Sequence, residues 1–115
     1  MAQDCIFCKI ISGKIPGDFV YQDDRLVAIR DINPQAPTHV LVMPRRHIKS
    51  MADLGAEDTE LMGHLILVAH QIASNEGLAD RGYRLAVNHG PEGGQFVRHI
   101  HFHLVGGRQL TGSLG

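Results

Sequence analysis

Three histidines alternate with apolar residues in one short segment, and this spacing is the strongest chemical signal in the sequence. His99, His101 and His103 are separated by Ile100 and Phe102. Side chains alternate between the two faces of a β-strand, so the pattern predicts that the imidazoles project from one face while apolar residues anchor the other. Neutral imidazoles can serve as nucleophiles, proton donors or metal ligands. A solvated strand face without chemistry is the alternative.

A single metal ion held by all three histidines is a second alternative. The outer two would lie about 13 Å apart on a flat strand, whereas zinc–nitrogen bonds are about 2.0–2.1 Å long. We therefore expect the three histidines to have different roles.

A glycine-rich loop directly precedes this segment, at residues 90–94. Gly93 and Gly94 allow backbone amides to approach a ligand closely. Asn88 and Gln95 flank the loop with neutral hydrogen-bonding groups. A plain turn is the alternative, but amides beside neutral imidazoles are suited to binding a phosphate.

The two cysteines, Cys5 and Cys8, have the spacing C-x-x-C. Two thiolates on one helical turn can bind one tetrahedral zinc, which then needs two further ligands. His47 and His99 are the candidates. Two buried apolar cysteines or a redox pair are the alternatives.

Length and charge restrict the class of protein. The chain has 115 residues, which predicts one domain, with a core at about residues 5–108 and a short tail at 109–115. The formal net charge of -1, from 11 basic and 12 acidic residues, argues against nucleic acid or an anionic membrane as partner. The longest apolar run, residues 65–69, is far shorter than a membrane span of about 20 residues. We expect a cytoplasmic location, because no apolar leader region is evident.

The elements that must position these residues follow from periodicity and turn signals. Strand patterns outnumber helical ones and do not alternate regularly with them, which favours an α+β fold with an antiparallel sheet. We predict a short helix at 6–11 capped by Asp4 and ended at Gly13, and a long helix at about 57–76. The predicted strands are 19–22, 26–30, 39–43, 83–88 and 97–105.

Residues 99–105 fit the pattern His-φ-His-φ-His-φ-φ, where φ is apolar, and this resembles the histidine-triad (HIT) superfamily. Other segments resemble the Hint branch of that superfamily in the same order along the chain, from about Cys5 to Arg108. These segments are 6–11, 31–39, 82–84, Asn88, 93–95 and 106–108.

The resemblance implies an antiparallel sheet of about five strands with two helices, which dimerises into a continuous larger sheet through the long helix and the strand near Tyr83. It also implies a purine nucleoside phosphoramidase, which hydrolyses the P–N bond of AMP or GMP phosphoramidates through a nucleotidyl-histidine intermediate. His101 would attack the α-phosphorus. His103 would contact the phosphate and assist proton transfer to the leaving amine, with His39 in support. This scheme requires no magnesium.

The same resemblance implies the binding residues. Asp31 would accept hydrogen bonds from the ribose hydroxyls. Ile32 would pack on the purine together with Ile6, Phe7 and Ile29. The phosphate would be held by Asn88, Gly94 and Gln95, with Phe96 beside it. In forms that keep C-x-x-C, the resemblance implies one structural zinc per chain, bound by Cys5, Cys8, His47 and His99.

Two positions depart from the Hint pattern. Phe96 stands where many Hint proteins have a small or polar residue, and Arg98 replaces a common aromatic residue. Two other functions remain open, namely a nucleotide-binding adaptor with weak turnover and a dinucleoside polyphosphate hydrolase. The leaving amine of the natural substrate does not follow from the sequence.

Overall fold

One antiparallel sheet with the strand order β1-β2-β3-β5-β4 organises the protein. The computed structural model describes residues 4–115. Its strands are β1 (Phe19–Gln22), β2 (Leu26–Arg30), β3 (Thr38–Pro44), β4 (Tyr83–Val87) and β5 (Phe102–Gly106). The helices are α1 (Ile6–Ile11) and α2 (Thr59–Asn75), with 3₁₀ turns at Met51–Asp53 and Ala56–Asp58. The predicted α+β fold, with five antiparallel strands and two helices, is confirmed.

Two apolar clusters lie on opposite faces of this sheet. Strand β2 is almost wholly buried, because Leu26 and Ala28 belong to the cluster beneath α2 while Val27 and Ile29 belong to the cluster beneath α1. Strand β3 divides in the same way. The α2 face is the main core, and the α1 face carries the histidines. No helix among residues 4–115 is long and apolar enough to cross a membrane.

The strand predicted at 97–105 begins only at Phe102, so the prediction is wrong for residues 97–101. Residues 99 and 100 bond to the end of β3 and to the chain just after it instead of continuing the strand ladder. Ile100 N donates to Ile48 O at 2.7 Å, and the His99 ring donates to Pro44 O. Pro44 ends β3 and has no N–H to continue the ladder. His99 and His101 therefore lie outside the sheet, and only His103 lies on a strand.

The helix ends differ slightly from the predictions. Cys5, rather than Asp4, caps α1, because its sulfur accepts a hydrogen bond from Cys8 N at 3.4 Å. Helix α1 stops before Gly13, as predicted, and Gly13 has a φ of 87° that favours glycine. Helix α2 starts at Thr59, two residues after the predicted start, because residues 56–58 form a 3₁₀ turn.

Candidate active site and metal centre

His101 presents an unprotonated ring nitrogen to a cavity. Its Nδ1 lies 2.8 Å from the carbonyl oxygen of His99, which can only accept a hydrogen bond, so Nδ1 carries the hydrogen. In the neutral ring, Nε2 then holds the lone pair. Burial lowers the pKa of His101, which keeps the ring neutral and nucleophilic.

His103 has the opposite tautomer. The backbone N–H of Gln35 donates to His39 Nδ1 at 3.0 Å, so Nε2 of neutral His39 carries the hydrogen. That nitrogen lies 2.9 Å from His103 Nδ1 and donates to it. The hydrogen of His103 is therefore on Nε2. This Nε2 is a hydrogen-bond donor, whereas Nε2 of His101 carries a lone pair. Burial, with His101 and His39 beside it, lowers the pKa of His103 to about 4.

Asp31 adds a negative charge to this chain of rings. Its Oδ2 lies 3.4 Å from His39 Nε2, and its Oδ1 accepts from Asn33 N at 2.8 Å. Asp31, His39 and His103 are close enough to suggest a metal site. The Gln35 hydrogen bond argues against one, because it leaves His39 Nε2 protonated and unable to bind a metal. We therefore interpret this cluster as a hydrogen-bonded relay.

The cavity beside these histidines has a volume of about 630 Å³. Ile10, Ile29 and Leu41 give one end an apolar surface, while His101, His103 and Asn88 give the other end polar groups. Ile32 and Phe96 stand at the rim and are more than nine-tenths exposed. Of the residues predicted to bind nucleotide, all but Gln95 line this cavity, namely Ile6, Phe7, Ile29, Asp31, Ile32, Asn88, Gly94, Phe96, His101 and His103.

Gln95 braces the glycine-rich loop from behind. Its side chain donates to Lys49 O at 2.7 Å and Val97 O at 3.1 Å, and accepts from Gly90 N. Gly93 must be glycine here, because a Cβ at this position would lie 2.2 Å from His89 O. The loop is therefore tightly folded on itself, and its Gly94 lines the same cavity as His101 and His103.

Cys5, Cys8, His47 and His99 converge on one point, as the sequence predicted for a metal centre. Nδ1 of His99 lies 3.5 Å from the sulfur of Cys5, 3.6 Å from that of Cys8 and 3.3 Å from His47 Nδ1. Tetrahedral zinc, with the usual Zn–N and Zn–S bonds, separates its ligand atoms by about 3.3–3.8 Å, so the donor set fits.

The chemistry of the ligands supports the same reading. His99 Nε2–H donates to Pro44 O at 2.8 Å, which turns the Nδ1 lone pair towards the thiols. Burial and the neighbouring Cys5 raise the pKa of Cys8 to about 11. A cation at the centre reverses that preference, because it favours the thiolate.

Several groups that shape the site were not predicted from the sequence. The backbone amide of Gln35 and the backbone carbonyls of Pro44 and His99 select the tautomers of the histidines. The positions of such backbone groups cannot be predicted from residue types. Ile10 and Leu41 extend the apolar end of the cavity and had an available signal, since each is apolar in a predicted element. The remaining helical histidines lie elsewhere, with His64 bonded to Asp23 and His70 to Tyr83.

A family model and curated proteins match this chain. The HIT domain model matches residues 12–110. The chain is 53% identical over 110 residues to the purine nucleoside phosphoramidase of Escherichia coli (strain K12), across 96% of this chain and 92% of the relative. An uncharacterised HIT-like protein of Synechococcus elongatus is 51% identical over 111 residues, across 96% of each chain.

Solved structures show the same fold. A HIT family hydrolase from Legionella pneumophila superposes with a TM-score of 0.95 at 48% identity, covering 96% of this chain and 99% of the other. A Zn-bound histidine triad family protein from Mycobacterium smegmatis gives a TM-score of 0.80 at 33% identity, covering 94% and 78%.

Proposed function

The chain belongs to the HIT domain family, and from this premise we propose that it is a purine nucleoside phosphoramidase. It would hydrolyse the P–N bond of AMP or GMP phosphoramidates. The observation that carries the proposal is the Nε2 lone pair of His101, which faces a cavity with an apolar end and a tightly folded glycine loop. The curated Escherichia coli relative is named for this activity.

In the first step, His101 Nε2 attacks the α-phosphorus, and the bond from phosphorus to the amine breaks. The amine leaves with one proton, which Nε2–H of His103 is placed to supply while the His103–His39 pair regains a proton from solvent, so that the pair stays neutral. The nucleotidylated His101 ring carries a positive charge. The His99 carbonyl stabilises this charge through the Nδ1–H bond.

In the second step, water attacks phosphorus and breaks the P–N bond to His101. One proton of this water passes to solvent through the His103–His39 pair, so each cycle ends in the starting tautomers. Asn88 and Gly94, which line the cavity, would lie against the phosphoryl oxygens, and Gln95 would act indirectly by holding the glycine-rich loop in place. Asp31 would bind the ribose, and Ile32, Ile6, Phe7 and Ile29 the purine. No magnesium is needed, because these groups supply the positioning and the proton.

The discriminating experiment compares kcat/KM for adenosine 5′-phosphoramidate with that for a diadenosine polyphosphate. We expect the phosphoramidate to be preferred at least tenfold. Protein carrying His101→Ala, prepared in parallel, controls for a contaminating hydrolase. Faster hydrolysis of the polyphosphate would assign the chain to that reaction instead, and tight AMP binding without hydrolysis of either would favour the adaptor.

We also propose that the metal centre holds one structural zinc per chain, bound by Cys5, Cys8, His47 and His99. A reducing cytoplasm, where we place the protein, keeps such thiols free to bind metal. Elemental analysis of protein purified without chelator should give about one zinc per chain. Cys8→Ser should lower this ratio sharply, whereas Lys49→Gln, near His47 but without a ligand atom in the cluster, should not. A metal-free, equally stable wild type contradicts the proposal.

We further propose that two copies form a homodimer. Strand β4 is an edge strand of the sheet, so it can pair with the β4 of a second copy. Ile66 and Leu67 of α2 are 52% and 72% exposed and offer apolar area to the same partner.

A further inference from the structure

His99 belongs to two centres at once. Its ring Nδ1 faces the thiols of Cys5 and Cys8 in the metal centre, and its backbone carbonyl accepts the hydrogen bond from His101 Nδ1. The metal centre and the nucleophile are therefore joined through the atoms of a single residue. His99 is completely buried, so water cannot replace either contact.

The position of this carbonyl is not fixed by the sheet. Residues 97–101 precede β5, and His99 takes part in no strand ladder. Its peptide unit is held by the bond from Ile100 N to Ile48 O at 2.7 Å, next to the metal ligand His47, and its side chain is anchored through Nε2–H to Pro44 O and through Nδ1 to the metal ligands. The ring of Phe7 packs edge-on against both imidazoles, with centroids 5.9 Å from His99 and 4.9 Å from His101. A shift of the His99 ring thus moves its carbonyl and the neighbouring nucleophile together.

We infer that the metal centre positions the nucleophile, with His99 as the positioning residue whose carbonyl holds His101 in the tautomer that exposes the Nε2 lone pair. This inference deepens the proposed function and rests on it for the role of His101. It gives the bound metal a role in the reaction without contact between the metal and the substrate.

The physical reason lies in the two tautomers of a neutral imidazole. Only the tautomer with hydrogen on Nδ1 leaves Nε2 free to attack phosphorus. The 2.8 Å bond to the His99 carbonyl selects that tautomer. When the metal is lost, two thiols and two imidazoles 3.3–3.6 Å apart have no cation between them, and the His99 ring is freed on its Nδ1 side. His101 then populates the other tautomer, in which Nε2 carries hydrogen and cannot attack.

Two ligand variants test this coupling. Cys8→Ser and His47→Gln each remove one ligand, and both leave the Cys5 sulfur that caps α1 in place. Lys49→Gln is the matched control. Each protein is loaded with zinc before measurement. We then measure the metal content, the ¹⁵N signals of the His101 ring (assigned by comparison with His101→Ala), and the separate effects on AMP Kd and on kcat.

We expect the wild type and Lys49→Gln to bind zinc and to show one His101 tautomer, protonated on Nδ1. The ligand variants should lose the metal and show a mixture of tautomers. Their kcat should fall about tenfold, equivalent to about 1.4 kcal/mol of barrier, while AMP Kd changes less than twofold. A merely structural role would lower stability without altering the tautomer. Metal-free variants with one tautomer and unchanged kcat would overturn the inference, as would a wild type that binds no zinc.

If the ligand variants do not fold, the same readouts apply to wild type stripped by a chelator and then refilled with zinc. Return of the single tautomer on refilling supports the inference. A ¹⁵N spectrum that does not change when zinc is restored overturns it. The ¹⁵N signature does not depend on turnover. A zinc-dependent tautomer in a protein that hydrolyses no phosphoramidate would therefore retain the coupling and refute the proposed function alone.

Discussion

Each histidine of the triad has one ring nitrogen committed to a protein group, and the chemistry left to the other nitrogen depends on that group. A carbonyl takes the hydrogen of His101 Nδ1, and the His39 ring donates to His103 Nδ1. The carbonyl of Pro44 takes the hydrogen of His99 Nε2. Three identical side chains thereby become a nucleophile, a proton donor and a metal ligand. Their separate roles come from three different partners.

Replacing His101 by alanine should remove turnover and keep nucleotide binding. No other imidazole presents an unprotonated Nε2 to the phosphorus in the proposed pose, so kcat should fall by at least a thousandfold. The AMP Kd, measured by calorimetry, should stay within about threefold, because the cavity walls remain. His89→Ala, a loop histidine outside the cavity lining, is the matched control and should retain the wild-type rate. Normal turnover in His101→Ala would exclude it as the nucleophile.

The low pKa of His103 can be tested by titration. An NMR titration should place its midpoint near 4, below the ordinary 6.5, because burial and neighbouring rings disfavour the charged form. Between these pH values the unfolded chain binds a proton that the folded chain does not, so stability should fall on acidification. Urea unfolding at pH 7 and pH 5 should show a smaller loss for His103→Asn than for wild type. A midpoint near 6.5 would contradict the assigned environment.

At this scale, residue types predicted much of the site. The separate roles of the triad and the four metal ligands were inferred from His99, His101, His103 and the C-x-x-C spacing, and the four ligands converge as expected. The tautomers could not be predicted, because they depend on where the backbone groups of residues 35, 44 and 99 lie after folding. Gln95 shows the same limit, since its amide spans the loop to Lys49 O instead of lining the cavity.

At the scale of elements, the end of α2 is tied to the sheet through one carboxylate. Glu76 accepts two hydrogen bonds from Arg30 of β2, at 3.0 and 3.1 Å, and one from Thr38 of β3 at 3.3 Å. The Arg30 guanidinium holds the pKa of Glu76 below its usual value. Arg30 also follows directly on Ile29, which lines the apolar end of the cavity. The hydrogen bonds of Glu76 therefore hold the end of β2 in place beside the cavity.

Replacing Glu76 by glutamine should destabilise the fold by about 0.5–1 kcal/mol at pH 7. The carboxylate has a lowered pKa, so its contribution is present above the unfolded value of about 4.5 and is lost as the pH falls through the folded value. Denaturant unfolding should therefore show a difference at pH 7 that shrinks towards pH 3. Glu60→Gln, which breaks the exposed Arg25–Glu60 pair, should change stability very little at either pH. A pH-independent effect of Glu76→Gln would contradict this reading.

The elements themselves were predictable from periodicity, because long apolar stripes and paired strands follow local sequence. The start of β5 was not. Alternating His and apolar residues continue back to residue 99, yet the hydrogen bonds of His99 and Ile100 go to Pro44 at the end of β3 and to Ile48 just after it. Both partners are more than 50 residues distant in sequence, so no local pattern could reveal that they replace the strand ladder.

At the scale of the whole molecule, the outer edge of β4 and the exposed face of α2 lie together. The hydrogen bond between His70 and Tyr83, at 2.6 Å, joins this helix to that strand. An edge strand beside an apolar helix face offers both backbone hydrogen bonds and apolar area to a second copy.

The charged variant Leu67→Glu should convert the proposed dimer into a monomer, because it buries an unpaired carboxylate at the apolar face. Sedimentation equilibrium of wild type should give twice the chain mass, and the variant should give the single mass. Met51→Glu places a carboxylate at another exposed apolar position, 41% exposed, and should keep the wild-type mass. A monomeric wild type would refute the dimer. An unchanged dimer in Leu67→Glu would show that the interface does not include this face of α2.

The strand order has a consequence for how the chain folds as it is synthesised. Strand β4 joins the sheet only through β5, which comes last in sequence and inserts between β3 and β4. A nascent chain that has emerged through residue 95 already has β1, β2, β3 and both helices, but β4 has no neighbour and Cys5, Cys8 and His47 wait for their fourth ligand. Synthesis proceeds from the N-terminus. The sheet, the metal centre and the nucleophile are therefore all completed together, when residues 99–106 are added.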